Sequence, residues 1–208
     1  MKWDDFFRQL DGQSLFDLPL ARGILDSPKP QMLQQLSRWM ESGRLTSLRR
    51  GMYALSPVYQ KHFLSPLRIA NELYRPSYLG GIWALGFFDL IPERVVGFTS
   101  IATRVTRTFV NTHGEFFYSK VRKDLFRNFS KREVDGAAVW ISEPEKALLD
   151  YWHLSPGKWD AGRMEEMRFQ NFDAVDGKKL EKYATGFPPR VLRAVSEWKW
   201  LAGRESGA

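Results

Sequence analysis

Between Pro30 and Leu55 the hydrophobic pattern changes from a helical period to two strand-like runs, with a glycine at each change of direction. This restricts what the N-terminal part of the chain can become. Met32, Leu33, Leu36, Trp39 and Met40 fall on one face of a 3.6-residue wheel, which predicts a core-facing helix from about Pro30 to Glu41. Gly43 follows the last periodic residue, where a left-handed C′ position favours glycine. Two short strand-like runs come next, Arg44–Leu48 and Met52–Leu55, around Arg49-Arg50-Gly51. They read as a hairpin with glycine where a tight turn needs positive φ.

Two shorter helices precede this unit. Trp3, Phe6, Phe7 and Leu10 recur at i, i+3, i+4 and i+7. A second helix, from about Asp17 to Leu25, has Asp17 as its cap and Pro19 in its first turn. The prolines of DSPKP separate it from the third. Helix, turn, helix and basic hairpin predict a winged helix-turn-helix over residues 1–60, with Trp3, Phe6, Leu36 and Trp39 as its small core. A linker is expected within SPVYQKHFLS, at residues 56–65.

The third helix is the candidate recognition element. Gln31, Gln34, Gln35 and Arg38 share its polar face, Lys29 stands at its start, and no acid precedes Glu41. Glutamine can bond adenine bidentately and arginine can do so with guanine in the major groove. Arg49 and Arg50 at the hairpin tip suit phosphate or minor-groove contact. Charge clustering supports this reading. The 208-residue chain carries a net charge of +7, and residues 29–64 hold six Lys/Arg against one acid. Residues 94–132 hold nine Lys/Arg against Glu115 and Asp124. This second basic stretch either meets nucleic acid or an acidic partner, or is the solvent side of a sheet.

Residues 61–208 predict a second domain of mixed α and β structure. PLRIANELYR and PSYLGGIWALGFF read as two helices, the second apolar nearly all round and therefore buried. VVGFTSIA, TRTFV, EFFYSKV and GAAVWIS are strand-like runs. Ser142 and Glu145 have the spacing of a capping box ahead of KALLDYWHL, in which Lys146 and Asp150 are expected to form a modest surface pair. Further helices are expected at about 160–170, 176–185 and 189–201.

No recognisable catalytic set emerges. The chain has no cysteine, which excludes disulfides, thiolate metal sites and cysteine nucleophiles. His62, His113 and His153 are scattered without zinc-site spacing, and there is no P-loop, dinucleotide fingerprint or nucleophile elbow. No cofactor or metal is expected. With neither a signal peptide nor a membrane-length apolar run, a cytoplasmic location is expected.

Four stretches together resemble the AbiEi family, antitoxins of type IV (abortive infection) toxin–antitoxin systems. They are SRWMESGRLTSLRRGMYALSP, IANELYRPSYLGGIWALGFFDLIPE, TSIATRVTRTF and ISEPEKALLDYWHL, in the family's order, over roughly residues 30–155. The resemblance implies an α+β chain: an N-terminal winged helix-turn-helix (residues 1–60), then a C-terminal antitoxin domain (residues 61–208). The first would bind and repress the operon's own promoter. The second would counteract a nucleotidyltransferase-like toxin. Carried over, DNA contacts fall near Gln31, Gln34, Gln35, Arg38, Arg49 and Arg50, and the EKALLD motif falls on Glu145–Asp150 with Lys146 within it. Gly80-Gly81 and Phe88-Asp89 depart from the family's pattern; each glycine costs about 1 kcal/mol in a helix interior. A non-enzymatic repressor and antitoxin is the leading reading. A winged-helix regulator with a ligand-sensing C-terminal domain and no toxin is one alternative; an enzyme acting on nucleotides or on the toxin, with residues 94–132 as its phosphate site, is the other.

Overall fold

The computed structural model describes residues 1–205. Its first six elements are α1 (Trp3–Gln9), β1 (Leu15–Asp17), α2 (Leu18–Leu25), α3 (Lys29–Glu41), β2 (Leu45–Arg49) and β3 (Met52–Leu55). The strands form an antiparallel sheet in the order β1-β3-β2. Asp17 accepts the Leu20 N–H at 3.0 Å and so caps α2. Gly43 stands at φ 69° beyond α3 and Gly51 at φ 80° in the hairpin. Trp3 packs edge-on against Trp39 at 5.2 Å, and Phe6 lies 4.7 Å from the same ring. Phe16 and Leu36 complete this cluster. Two details differ from the sequence reading. β1 has three residues, too few for alternation to be visible, and Leu33 is exposed rather than on the buried face.

The remaining chain builds a six-stranded mixed sheet. Its elements are α4 (Pro66–Leu73), β4 (Ser77–Leu79), α5 (Gly81–Phe87), β5 (Phe98–Ala102), β6 (Arg107–Asn111), β7 (Gly114–Lys120), β8 (Phe129–Val134) and β9 (Ala137–Ser142). Helices α6 (Pro144–Leu154), α7 (Ala161–Glu166), α8 (Gly177–Ala184) and α9 (Pro189–Glu205) follow. The strand order is β6-β7-β5-β4-β9-β8, with β4/β9 and β5/β7 parallel. The architecture is α+β.

Alternation along the strands puts one set of side chains on each face. Tyr78 and Ile101 join Leu148, Trp152, Leu180 and Val191 under the C-terminal helices. Leu79, Phe116, Tyr118 and Ile141 face the other way, onto α4. That second core also contains Leu48, Met52 and Ala54 of the β2–β3 hairpin. Residues 56–65 therefore link two units in which the hairpin contributes one face to the N-terminal core and the other to the core of the sheet. They hold a 3-10 turn at Pro57–Tyr59, with Val58 and Phe63 exposed.

Two expectations are corrected here, and one strand is added. PSYLGGIWALGFF is not one helix: Ser77–Leu79 is a central strand and the helix starts at Gly81. Gly80 is extended, and a Cβ there would come within 3.0 Å of Ile101 and 3.1 Å of the Tyr78 ring. Gly81, at φ 59°, turns the chain into α5. Strand β8 went unread because FSKREV is an edge strand, with Lys131, Arg132 and Glu133 exposed. The capping box does not form either. Glu143 is the N-cap of α6, Ser142 ends β9, and Glu145 instead accepts the Asp176 N–H at 3.0 Å, just before α8.

Candidate nucleic-acid interface

Helix α3 keeps its polar face free. Lys29, Gln31, Gln34 and Arg38 are exposed and Gln35 is half-buried. Residues Met32, Leu36 and Trp39 hold the opposite face in the core. Among the described residues, none of the five polar side chains forms an intramolecular hydrogen bond or ion pair. Their donors and acceptors face water.

The two arginines of the hairpin tip diverge. Arg50 is exposed. Arg49 turns toward the six-stranded sheet: its Nε donates to the Leu73 carbonyl at 2.6 Å, and one terminal nitrogen donates to the Arg50 carbonyl at 3.0 Å. Leu73 is the last residue of α4, where carbonyls lack a partner within the helix, so Arg49 supplies a cap from another element. Asn111 adds a second tie, donating from Nδ2 to the Leu48 carbonyl at 3.1 Å. The hairpin is thus bonded to α4 and to the end of β6.

These ties bring together residues far apart in sequence. A cleft of about 520 Å³ between the hairpin and the sheet is lined by Arg49, Arg50, Arg104, Arg107 and Lys120. Tyr74 and Phe109 form apolar wall, and no carboxylate lines it. Among the described residues none of the five cations is in a salt bridge. The Arg104 guanidinium lies 4.6 Å from the centre of the Tyr74 ring, while the Tyr74 hydroxyl donates to the Val105 carbonyl at 2.8 Å. In the adjoining core, burial pushes the Tyr118 hydroxyl pKa well up, and the Arg49 charge opposes that rise. Unpaired cations on low-dielectric walls concentrate positive potential, as an anion site requires.

The rest of the second basic stretch is elsewhere. Arg122 pairs with Asp124 at 2.8 Å. Arg127 donates to the Thr185 carbonyl beyond α8. Arg132 stands over the Phe88 ring at 5.6 Å. Arg104, Arg107 and Lys120 could not be singled out from the sequence, because strand alternation and loop course decide which cations share a cleft.

The EKALLD segment needs the largest correction. Lys146 and Asp150 are not a surface pair: both side chains are fully buried and directly bonded. The Tyr78 hydroxyl donates to the second Asp150 oxygen at 2.9 Å. The ammonium lies 5.5 Å from the Tyr78 ring and 5.3 Å from that of Phe187. Burial raises the Asp150 pKa against the opposing effects of Lys146 and Tyr78, and burial lowers that of Lys146 against Asp150. Glu145 is buried as well, with Lys179 3.5 Å from its carboxylate. A signal was present in the sequence. Ala147, Leu148, Leu149, Tyr151, Trp152 and Leu154 leave α6 no wide polar face, so some of its charges must be inside.

Among the described residues no cluster of three or more His, Asp or Glu side chains could hold a metal ion, and no helix is long and apolar enough to cross a membrane. No family model and no curated protein sequence matches the chain. A crystal structure of the RV2827C protein from Mycobacterium tuberculosis shares the fold. It superposes with a TM-score of 0.60 at 14% identity, covering 93% of this chain and 74% of that one.

Proposed function

We propose that this chain is a non-enzymatic DNA-binding repressor and antitoxin whose N-terminal unit is a winged helix-turn-helix. The order α1-β1-α2-α3-β2-β3 and the free polar face of α3 support that assignment. In this reading α3 enters the major groove, with Gln31, Gln34, Gln35 and Arg38 toward base edges. The observation that carries the proposal is the carboxylate-free cleft of five cations beside the hairpin. It extends a phosphate-binding surface from the hairpin tip onto the six-stranded sheet, so the two basic stretches of the sequence serve one interface. The antitoxin half rests on the resemblance of residues 30–155 to AbiEi antitoxins. Its partner would be a nucleotidyltransferase-like toxin, and its action would be cytoplasmic.

Fluorescence anisotropy against the chain's own upstream DNA and a scrambled duplex, across a salt series, tests the repressor half. Specific binding should outlast non-specific binding as salt rises. If each of Arg50, Arg104 and Arg107 neutralises one phosphate, their joint replacement by alanine should flatten the log–log salt slope by about 2.7. Gln35→Ala should instead reduce preference between the duplexes. Weak and identical binding to both duplexes would overturn the repressor reading.

The second reading, a winged-helix regulator that senses a small ligand without a toxin, is favoured by a larger cavity of about 860 Å³ between α4 and the β8–β9 hairpin. A neighbouring nucleotidyltransferase-like gene would favour the antitoxin reading over it.

A further inference from the structure

The 860 Å³ cavity is within the roughly 300–1,000 Å³ range of small-molecule sites, and its lining is chemically mixed. Trp140 and Phe63 are 45% and 83% exposed, large ring faces left to water at its rim. Behind Trp140 the rings are packed in series: Phe129 lies edge-on to it at 5.8 Å and stacks on buried Tyr78 at 4.4 Å. The exposed indole is therefore held by a fixed aromatic backing. Its backbone is fixed too, since the Asn71 amide bonds both the N–H and the carbonyl of Trp140.

The polar groups divide by whether they are already used. Asn71 is consumed by Trp140, and Arg75 by Glu72. Arg68 and Lys131 are exposed and, among the described residues, unpaired. Ser77 lines the cavity, but its hydroxyl is buried below the surface, without a hydrogen-bond partner among the described residues. Asp135 offers an acceptor from the hairpin turn. What remains is exposed ring surface, two free cations, the exposed His62 imidazole and one carboxylate. A planar ring suits the indole, a phosphate suits the cations, and a ring amine or sugar hydroxyl suits Asp135.

We propose that this cavity binds a nucleoside monophosphate, with the base on Trp140 and the phosphate between Arg68 and Lys131. The inference stands on the cavity alone and is independent of the DNA reading. Helix α4 and the residues after it separate the two sites: Arg75 and Pro76 line this cavity, while Tyr74 lines the basic cleft. A ligand here is thus one helix away from the Arg49 tie.

Isothermal titration of the full chain with AMP, GMP, CMP and UMP, without DNA, tests it, with adenosine and inorganic phosphate as component probes. At least one monophosphate should bind, and bind about tenfold or more tightly than either component. Trp140→Leu, and separately Arg68→Ala with Lys131→Ala, should weaken it about tenfold or more, in line with one lost base stack or phosphate clamp. Phe63→Ala gives a variant at a position too exposed to affect folding, and should weaken binding in the same direction. Arg193→Ala, exposed on α9, should leave it unchanged. No heat with any of the four at millimolar concentration would overturn the proposal. So would binding lost in Arg104→Ala with Arg107→Ala but kept in the cavity variants, which would move the nucleotide to the basic cleft. A nucleoside that binds as tightly as its monophosphate would overturn the phosphate assignment.

Discussion

Replacing Lys146 by methionine removes one charge from a site that has no water to compensate for it. Methionine nearly matches the lysine in length, so packing changes little. Asp150 then keeps a single partner, the Tyr78 hydroxyl at 2.9 Å, while remaining fully buried. Breaking a buried pair in this way costs about 3–5 kcal/mol. Against a total stability of about 5–15 kcal/mol, that is a large fraction. At roughly 2–4 °C per kcal/mol for a chain of this size, the melting temperature should fall by roughly 6–20 °C. Adding Asp150→Leu removes the stranded charge and leaves only the Tyr78 hydroxyl unpaired, a residual cost of about 1–3 kcal/mol. Adding Tyr78→Phe as well should bring stability back to within about 1 kcal/mol of the parent, or above it, as happens when buried ion pairs are exchanged for apolar groups. Urea unfolding followed by circular dichroism gives the order directly: single below double, double below triple. A single variant that loses less than about 1 kcal/mol would refute the buried, charged pair. A double variant no better than the single would refute the stranded-charge argument.

Arg49→Ala should lower the melting temperature by roughly 3–12 °C, from a charge-assisted bond worth about 1.5–3 kcal/mol, and an unchanged melt would remove the α4 tie from the account. A fragment of residues 1–60 should be markedly less stable than the full chain, because Leu48, Met52 and Ala54 lose the core they share with α4 and the sheet; a monomeric fragment that melts at the full chain's temperature would contradict this. Burial, followed by the charges of Arg190, Lys146 and Arg122, lowers the pKa of His153. Its neutral form is the one that folds well, so its contribution is complete above the unfolded value of about 6.5 and is lost as pH falls through the lower folded value. Between pH 7 and 5 the parent should therefore lose more stability than His153→Gln, and equal slopes in urea unfolding would dismiss the effect.

Where local periodicity was long enough, the sequence could be read. The thirteen residues of α3, Asp17 as a cap, and the glycines at 43 and 51 all fall as their physical chemistry requires. Short elements could not be read, because three residues of β1 or β4 carry no period to detect. PSYLGGIWALGFF misled because a fully apolar run looks alike as central strand and as buried helix; the packing of Gly80 against Ile101 decides it, and that contact is long-range. The candidate interface was half legible. Arg49 and Arg50 stood out at a hairpin tip, whereas their union with Arg104, Arg107 and Lys120 depends on which strand edge the hairpin meets. Lys146 and Asp150 were named for their spacing, but spacing alone is silent about depth.

The hairpin whose side chains enter the second core also bears on how such a chain can be altered by recombination. DNA-reading modules are often treated as interchangeable parts, cut at a linker and fused to a new effector. Here a cut at residue 60 would separate segments whose side chains are packed together. Leu48, Met52 and Ala54 belong to the sheet's core, and Arg49 and Leu48 are bonded to Leu73 and Asn111. A transplanted N-terminal unit would expose that surface, and a foreign one would have to match it. Under the proposed repressor role, changing the free face of α3 in place disturbs fewer contacts than exchanging the module, and a chimera that keeps the hairpin must carry α4 and the end of β6 along with it.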